Sequence, residues 1–285
     1  MHATGPSSVS TRPLPLYNRF LLTDSQRDRI EIVLVSPRNP LNIGAAARAM
    51  ANFAFSRLTI VAPFEPHWRE ARSAIHAGDL LQNARCMQCL GEAVAGCSLV
   101  LGTATLARRR PEQPVLQLPG LAPILESALA CGGRIALVFG PEKRGLSRQD
   151  LALCHKLVVI PTHPIQPSMN LAQAVAVCLY ELAAPRTGLG ALGPSRLGTR
   201  ESASLDAGAP ATARDLDLLA AVVDKTLAAS NYSPSAMRNA NRHDLHLLLR
   251  RLSLSRSDAR RILGLFRRIL WRLEHPGHEN ANHPG

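Results

Sequence analysis

Three closely spaced prolines, Pro161, Pro164 and Pro167, separate an apolar run at residues 157–160 from a small-residue apolar stretch at 171–182. Proline forbids helix interiors and removes backbone donors, so this segment must cross space as a stiff loop. The run before it reads as the end of a buried strand, and the stretch after it as a buried helix, with Ser168 as the expected N-cap. A strand feeding a rigid loop feeding a helix is a usual place for a ligand site in an α/β protein. Two polar side chains, Ser168 and Asn170, opening an otherwise apolar helix strengthen that expectation.

The rest of the first two thirds repeats the pattern. Residues 30–35, 58–61, 86–89, 98–102, 134–139 and 157–160 read as strands. Residues 45–53, 65–84 (broken at Gly78) and 121–130 read as helices. Alternating strands and helices predict a mostly parallel sheet with helices on both faces, an α/β domain over residues 30–184. Residues 1–29 read as a disordered leader, lacking the charged and apolar regions of a signal peptide. No apolar run is long enough for a membrane span.

Residues 185–213 are rich in Pro, Gly, Ser and Ala without apolar periodicity, which predicts a flexible linker. Helical periodicity returns over 215–230, 244–252 and 256–274, and residues 276–285 read as a disordered tail. In the third helix Ile262, Leu265, Phe266, Ile269, Leu270 and Leu273 fall on one apolar face, ringed by Arg260, Arg261, Arg267, Arg268 and Arg272. The extension over 214–275 carries about twice as many Lys and Arg as Asp and Glu, within a chain of net charge +12. Arginine suits phosphate geometry, so an RNA-contacting or dimer-supporting helical module is expected there. The cysteines mostly read as small core residues, and Cys86-x-x-Cys89 lacks the second pair a zinc ribbon needs. No metal site is expected, and free thiols suit a reducing, cytoplasmic setting.

Three loops that follow strands carry the candidate chemistry: Asn42-x-Gly44-x-x-x-Arg48, Gly140-Pro141-Glu142-x-x-Gly145-Leu146-Ser147, and Ser168-x-Asn170-Leu171. The first lacks the glycine fingerprint of a dinucleotide fold, which disfavours a nicotinamide enzyme, and the second lacks the Gly-Lys-Ser/Thr ending of a P-loop. Helix capping is the competing reading for Asn42 and Asn170.

In this order and spacing, the three loops resemble the three motifs of the SpoU (TrmH) family within the SPOUT superfamily of RNA methyltransferases. The match covers about residues 30–182. The chain is most similar to the TrmJ branch, whose members 2'-O-methylate cytidine or uridine at position 32 of the tRNA anticodon loop. The resemblance implies a C-terminal trefoil knot, a homodimer, and S-adenosylmethionine held by the knot loops. It implies a cofactor site at Thr103, Ala104, Thr105, Gly140, Ile160, Ser168 and Met169. It implies a catalytic set of Asn42, Arg48, Glu142, Ser168 and Asn170. Arg48 is expected to clamp the target phosphate and stabilise the developing alkoxide, as a fixed positive charge does. Two alternatives remain: a ribosomal RNA 2'-O-methyltransferase of the same family, and a non-catalytic RNA-binding protein with the same fold.

Overall fold

The computed structural model describes residues 22–106, 111–183, 209–232 and 237–275. The strands are β1 (Ile30–Val35), β2 (Leu58–Val61), β3 (Arg85–Met87), β4 (Leu99–Thr103), β5 (Val115–Gln117), β6 (Ile135–Phe139) and β7 (Lys156–Val159). The helices are α1 (Asp24–Arg27), α2 (Pro40–Asn52), α3 (Gly78–Gln82), α4 (Leu90–Val94), α5 (Leu121–Ala130), α6 (Arg148–Ala152), α7 (Leu171–Ala183), α8 (Ala213–Ala229), α9 (Arg238–Arg251) and α10 (Arg256–Glu274).

The strands form one 7-stranded sheet in the order β3-β2-β1-β6-β4-β7-β5. Every pairing in it is parallel. Side chains alternate faces along a strand, and β1 splits accordingly. Ile30, Ile32 and Leu34 pack with Ile43 and Met50 of α2, Leu125 of α5 and Val175 and Leu179 of α7. Val33 and Val35 pack on the other face with Leu90 and Val94 of α4, Leu146, Cys154 and Ala213 of α8. A sheet buried on both faces needs near-continuous apolar strands, and β1, β2 and β6 are buried throughout.

The helical extension docks on this domain. The Ala213 and Arg214 amides donate to the Cys97 and Ala95 carbonyls at 2.8 and 3.1 Å. The Thr212–Asp215 capping box starts α8 there. Leu219, Val223 and Leu249 form a further small core, against which Ile262, Leu263 and Phe266 of α10 pack.

Several expectations are corrected. Within the expected leader, Asp24–Arg27 form α1, started by a Thr23 capping box, and residues 1–21 lie outside the described residues. Residues 65–84 hold only a short 3₁₀ turn (Trp68–Glu70) and α3. The short elements β5, α4 and α6 carried too little periodicity to be foreseen. Ser168 does not cap α7; the Asn170 side chain does, accepting from the Ala172 amide at 2.9 Å. The apolar stripe of α10 is only half used, since Leu265 and Ile269 stay 59% and 47% exposed. Cys97, Cys154 and Cys178 are buried, whereas Cys86, Cys89 and Cys131 are exposed. Of the expected linker 185–213, residues 209–213 are described: Pro210 is bridged to Ser255 and Ala213 begins α8. The basic run Arg108–Arg110, the remainder of the linker and the C-terminal tail lie outside the described residues. No helix among the described residues is long and apolar enough to cross a membrane.

Candidate active site

In a parallel sheet all strands deliver their C-terminal ends to one edge, and the three motif loops meet there. The first starts α2. Asn39 caps that helix, its side chain accepting from the Leu41 amide at 2.9 Å, and Pro40 occupies the first turn. Asn42 and Gly44 therefore lie inside the helix rather than in a loop, and Asn42 is not the cap. Gly44 is favoured by close packing, because a Cβ there would sit 2.9 Å from the Ala74 backbone nitrogen as well as 2.3 Å from Ser73 Oγ.

The second loop turns back sharply after β6. A Cβ on Gly140 would lie 2.2 Å from the Leu146 amide, and Gly145 has φ +63°, a left-handed conformation that glycine adopts without strain. This turn presents Glu142 to α2. Glu142 Oε1 accepts from Asn42 Nδ2 at 2.8 Å and from the Asn39 amide at 3.2 Å. Its Oε2 accepts from the Arg38 amide at 3.1 Å.

The third loop closes the chain of bonds. Asn170 Nδ2 donates to Asn42 Oδ1 at 3.0 Å while Asn170 Oδ1 caps α7. Capping and site-building thus coexist in one residue. The direction is fixed: Asn170 donates to Asn42, and Asn42 donates to Glu142. Burial pushes the Glu142 carboxyl up. The hydrogen bonds from Asn42, Arg38 and Asn39 outweigh it, so the group lies below the ordinary carboxylate value and is ionised.

Beside this network is a cleft of about 230 Å³, lined by Thr103, Ala104, Thr105, Gly140, Glu142, Leu146, Ile160, Ser168 and Met169 among others. Every residue expected in the cofactor site lies on its wall. Leu146, Val158, Ile160 and Met169 supply apolar surface, and Thr103, Thr105 and Ser168 supply hydroxyls. Thr162 Oγ1 donates to the Pro167 carbonyl at 3.0 Å, which closes the proline loop on itself. An apolar slot with a few placed polar groups suits a nucleoside with a thioether chain.

Arg48 stands apart. It is exposed on α2, outside both the network and the cleft lining, and forms no hydrogen bond or ion pair with the described residues. Among the described residues Glu112, His243 and Asp244 approach the spacing of metal ligands. His243 Nε2 there already accepts from Arg148 Nε at 3.1 Å.

A family model for the SpoU rRNA Methylase family matches residues 29–180. The chain belongs to this family. It is 41% identical, over 70% of its length and 77% of the relative's, to the tRNA (cytidine/uridine/adenosine-2'-O-)-methyltransferase TrmJ of Pseudomonas aeruginosa. It is 40% identical over 154 residues to the tRNA (cytidine/uridine-2'-O-)-methyltransferase TrmJ of Escherichia coli, the match covering 54% of this chain and 62% of that one. The crystal structure of TrmJ from Z. mobilis ZM4 superposes with a TM-score of 0.70 at 29% identity, over 84% of this chain and 98% of that one.

SpoU-family membership brings S-adenosylmethionine as cofactor, and the cleft walls fit it in kind. Sequence reasoning missed the Arg38 and Asn39 amides as partners of Glu142, although Asn39-Pro40 is a helix-start signature that would have placed them. It also missed Phe64, exposed at the same edge with the Arg38 guanidinium 5.3 Å above its ring.

Proposed function

We propose that this chain transfers a methyl group from S-adenosylmethionine to a ribose 2'-hydroxyl of tRNA, at cytidine or uridine 32 of the anticodon loop. The observation that carries the reading is the Asn170–Asn42–Glu142 chain standing at the mouth of the cleft, with motif residues on both. When bound, the cofactor would supply a methyl on a sulfonium, whose S–CH3 bond breaks as O–CH3 forms and a neutral thioether leaves, so the reading calls for no metal. The chain's own residues must place the hydroxyl and stabilise the charge it develops. Glu142 orients Asn42, whose amide is committed at both ends. Ser168, on the cleft wall, is within the region where the hydroxyl would enter. Arg48, exposed and unpaired, clamps the target phosphate.

The same reading extends to architecture. Residues 30–184 form the methyltransferase unit and 214–275 the RNA-contacting extension. The segment from β7 through the proline loop to α7 completes a trefoil knot, supported by α7 packing back against α2. Leu41 and Tyr180, 56% and 61% exposed on α2 and α7, support a homodimer through that face. A tRNA substrate supports a cytoplasmic location.

The test is methyl transfer from labelled S-adenosylmethionine to bulk tRNA and ribosomal RNA, wild type beside Arg48→Ala, with nuclease mapping. A 2'-O-methyl label in the anticodon loop, lost in the variant, is expected. Label only in ribosomal RNA would favour the alternative that the family's description suggests. No label and no cofactor binding would leave an RNA-binding relic.

A further inference from the structure

Arg250 of α9 is the most buried cation among the described residues, 2% exposed, and its bonds cross from the extension to the sheet domain. Its Nε donates to the Leu153 carbonyl at 2.9 Å, and its Nη2 to Asp217 Oδ1 of α8 at 2.8 Å. Leu153 is the C-cap of α6. At the other end of α6, Arg148 donates to His243, also of α9. The extension therefore grips α6 at both ends. A helix of 5 residues is far too short to hold its own geometry.

What α6 supports is the cleft. It continues directly from the turn that carries Gly140 to Leu146. After it, the His155 amide donates to the Val100 carbonyl at 2.8 Å and the Val100 amide to His155 Nδ1 at 3.1 Å. That pair ties the exit of α6 to β4, whose last residue, Thr103, lines the cleft. There is no slack between them: a Cβ on Gly102 would lie 2.6 Å from Cys154 Sγ and 3.0 Å from Leu146 Cδ1. Leu146 is fully buried, lines the cleft, and shares its core with Ala213 of α8.

We propose that Arg250 is a positioning residue for the cofactor: from the extension it fixes α6, and through α6 the cleft wall formed by Thr103 and residues 140–146. An ion pair alone would need only Asp217. The planar guanidinium fork reaches Asp217 and the Leu153 carbonyl together, which a lysine cannot do. This inference rests on the cleft being the cofactor site.

The experiment is calorimetric titration of the full chain with S-adenosylhomocysteine, for wild type, Arg250→Lys and the double variant Arg250→Met/Asp217→Leu. Each is measured well below its own Tm, with helix content from circular dichroism. Removing both charges together avoids a stranded buried ion, so the double variant is expected to fold. Its dissociation constant should rise about 10-fold, with Arg250→Lys about 3-fold weaker than wild type, while binding of tRNA on filters changes less than about 2-fold. A purely structural role would lower Tm and leave the dissociation constant unchanged, and that result overturns the inference alone. Should the double variant not fold, Arg250→Lys decides by the same criterion. No binding by the wild type would overturn the reading of the cleft itself, and the inference with it.

Discussion

The two ends of the sheet each carry a carboxylate that organises its surroundings, and they do so in opposite ways. At the N-terminal end Glu31 is buried, bonded to Thr59 Oγ1, 3.0 Å from Arg134 Nη2 and 3.4 Å from Arg85 Nη1. Its charge is matched in place, and nothing is left to recruit. At the C-terminal end Glu142 is half-buried and accepts only from neutral donors: Asn42 and the Arg38 and Asn39 amides. Its negative charge is fixed in position without a bonded cation. The arginine of the first motif, Arg48, is held out in solvent. One end is closed chemistry that holds strands together. The other has its donors and acceptors aligned and its cation still available to a polyanion, which is what separates a site from a brace.

The sharpest way to break the comparison is to remove that free cation. Arg48→Ala should lower methyl transfer by about 10²–10³-fold, the range for losing one stabilising group at a developing oxyanion. Tm should not move, because Arg48 holds nothing in the protomer. A matching loss in Arg48→Lys would point to the planar fork, and retained activity to charge alone. A fall in Tm would make Arg48 a brace like Arg134.

The converse test is at the other end. Arg134→Ala leaves Glu31 buried with the longer contact to Arg85, and should cost about 1–2 kcal/mol in urea unfolding, since Arg134 is partly exposed and Arg85 remains. Affinity for S-adenosylhomocysteine should be unchanged. If that affinity fell instead, the two ends would be coupled and the contrast between them would fail.

Glu142→Gln probes the site carboxylate itself. A glutamine can still accept from Asn42, but its amide nitrogen would then face the Arg38 N–H, two donors together. Loss of a hydrogen bond to a charged group predicts about 10–100-fold slower transfer together with a modest loss of stability. Activity near wild type would mean that the network does not need the charge.

How much of this was legible in the sequence follows from where period and length are informative. β1, β2, α5 and α10 could be bounded from apolar runs and spacing, because each is either fully buried or strongly amphipathic. β5 and α6 could not: at 3 and 5 residues they are fixed by neighbours, Val115–Gln117 by pairing to β7 and Arg148–Ala152 by the grip of α9. The site residues were legible as motifs, but their bonding was not. Capping competes with chemistry as a reading of Asn42 because asparagine is favoured at helix starts, and the cap is another asparagine, Asn39. The buried contact between the extension and α6 runs through Arg250, one arginine in a tail rich in arginines, and no pattern distinguishes it.

The smallest expected effect is on pH dependence, and its sign separates the site from the scaffold. Burial, then the charges of Arg250 and Lys156, push His155 down to about 3, so it is neutral in the folded chain with Nδ1 accepting from Val100. The unfolded chain binds a proton below about pH 6.5. Stability from this group is therefore full above that value and is lost as pH falls toward 3. Glu142, held below the ordinary carboxylate value, contributes stability above its unfolded value that is lost only as pH drops through its lower folded one. On mild acidification the scaffold should weaken while the site network keeps its charge. Melting curves between about pH 7 and about pH 5 should show Tm falling in wild type and falling less in His155→Asn, whose side-chain oxygen can take the Val100 amide. Equal slopes in the two proteins would mean that His155 takes up its proton without unfolding, and that the grip of α9 on α6 is looser than its hydrogen bonds describe.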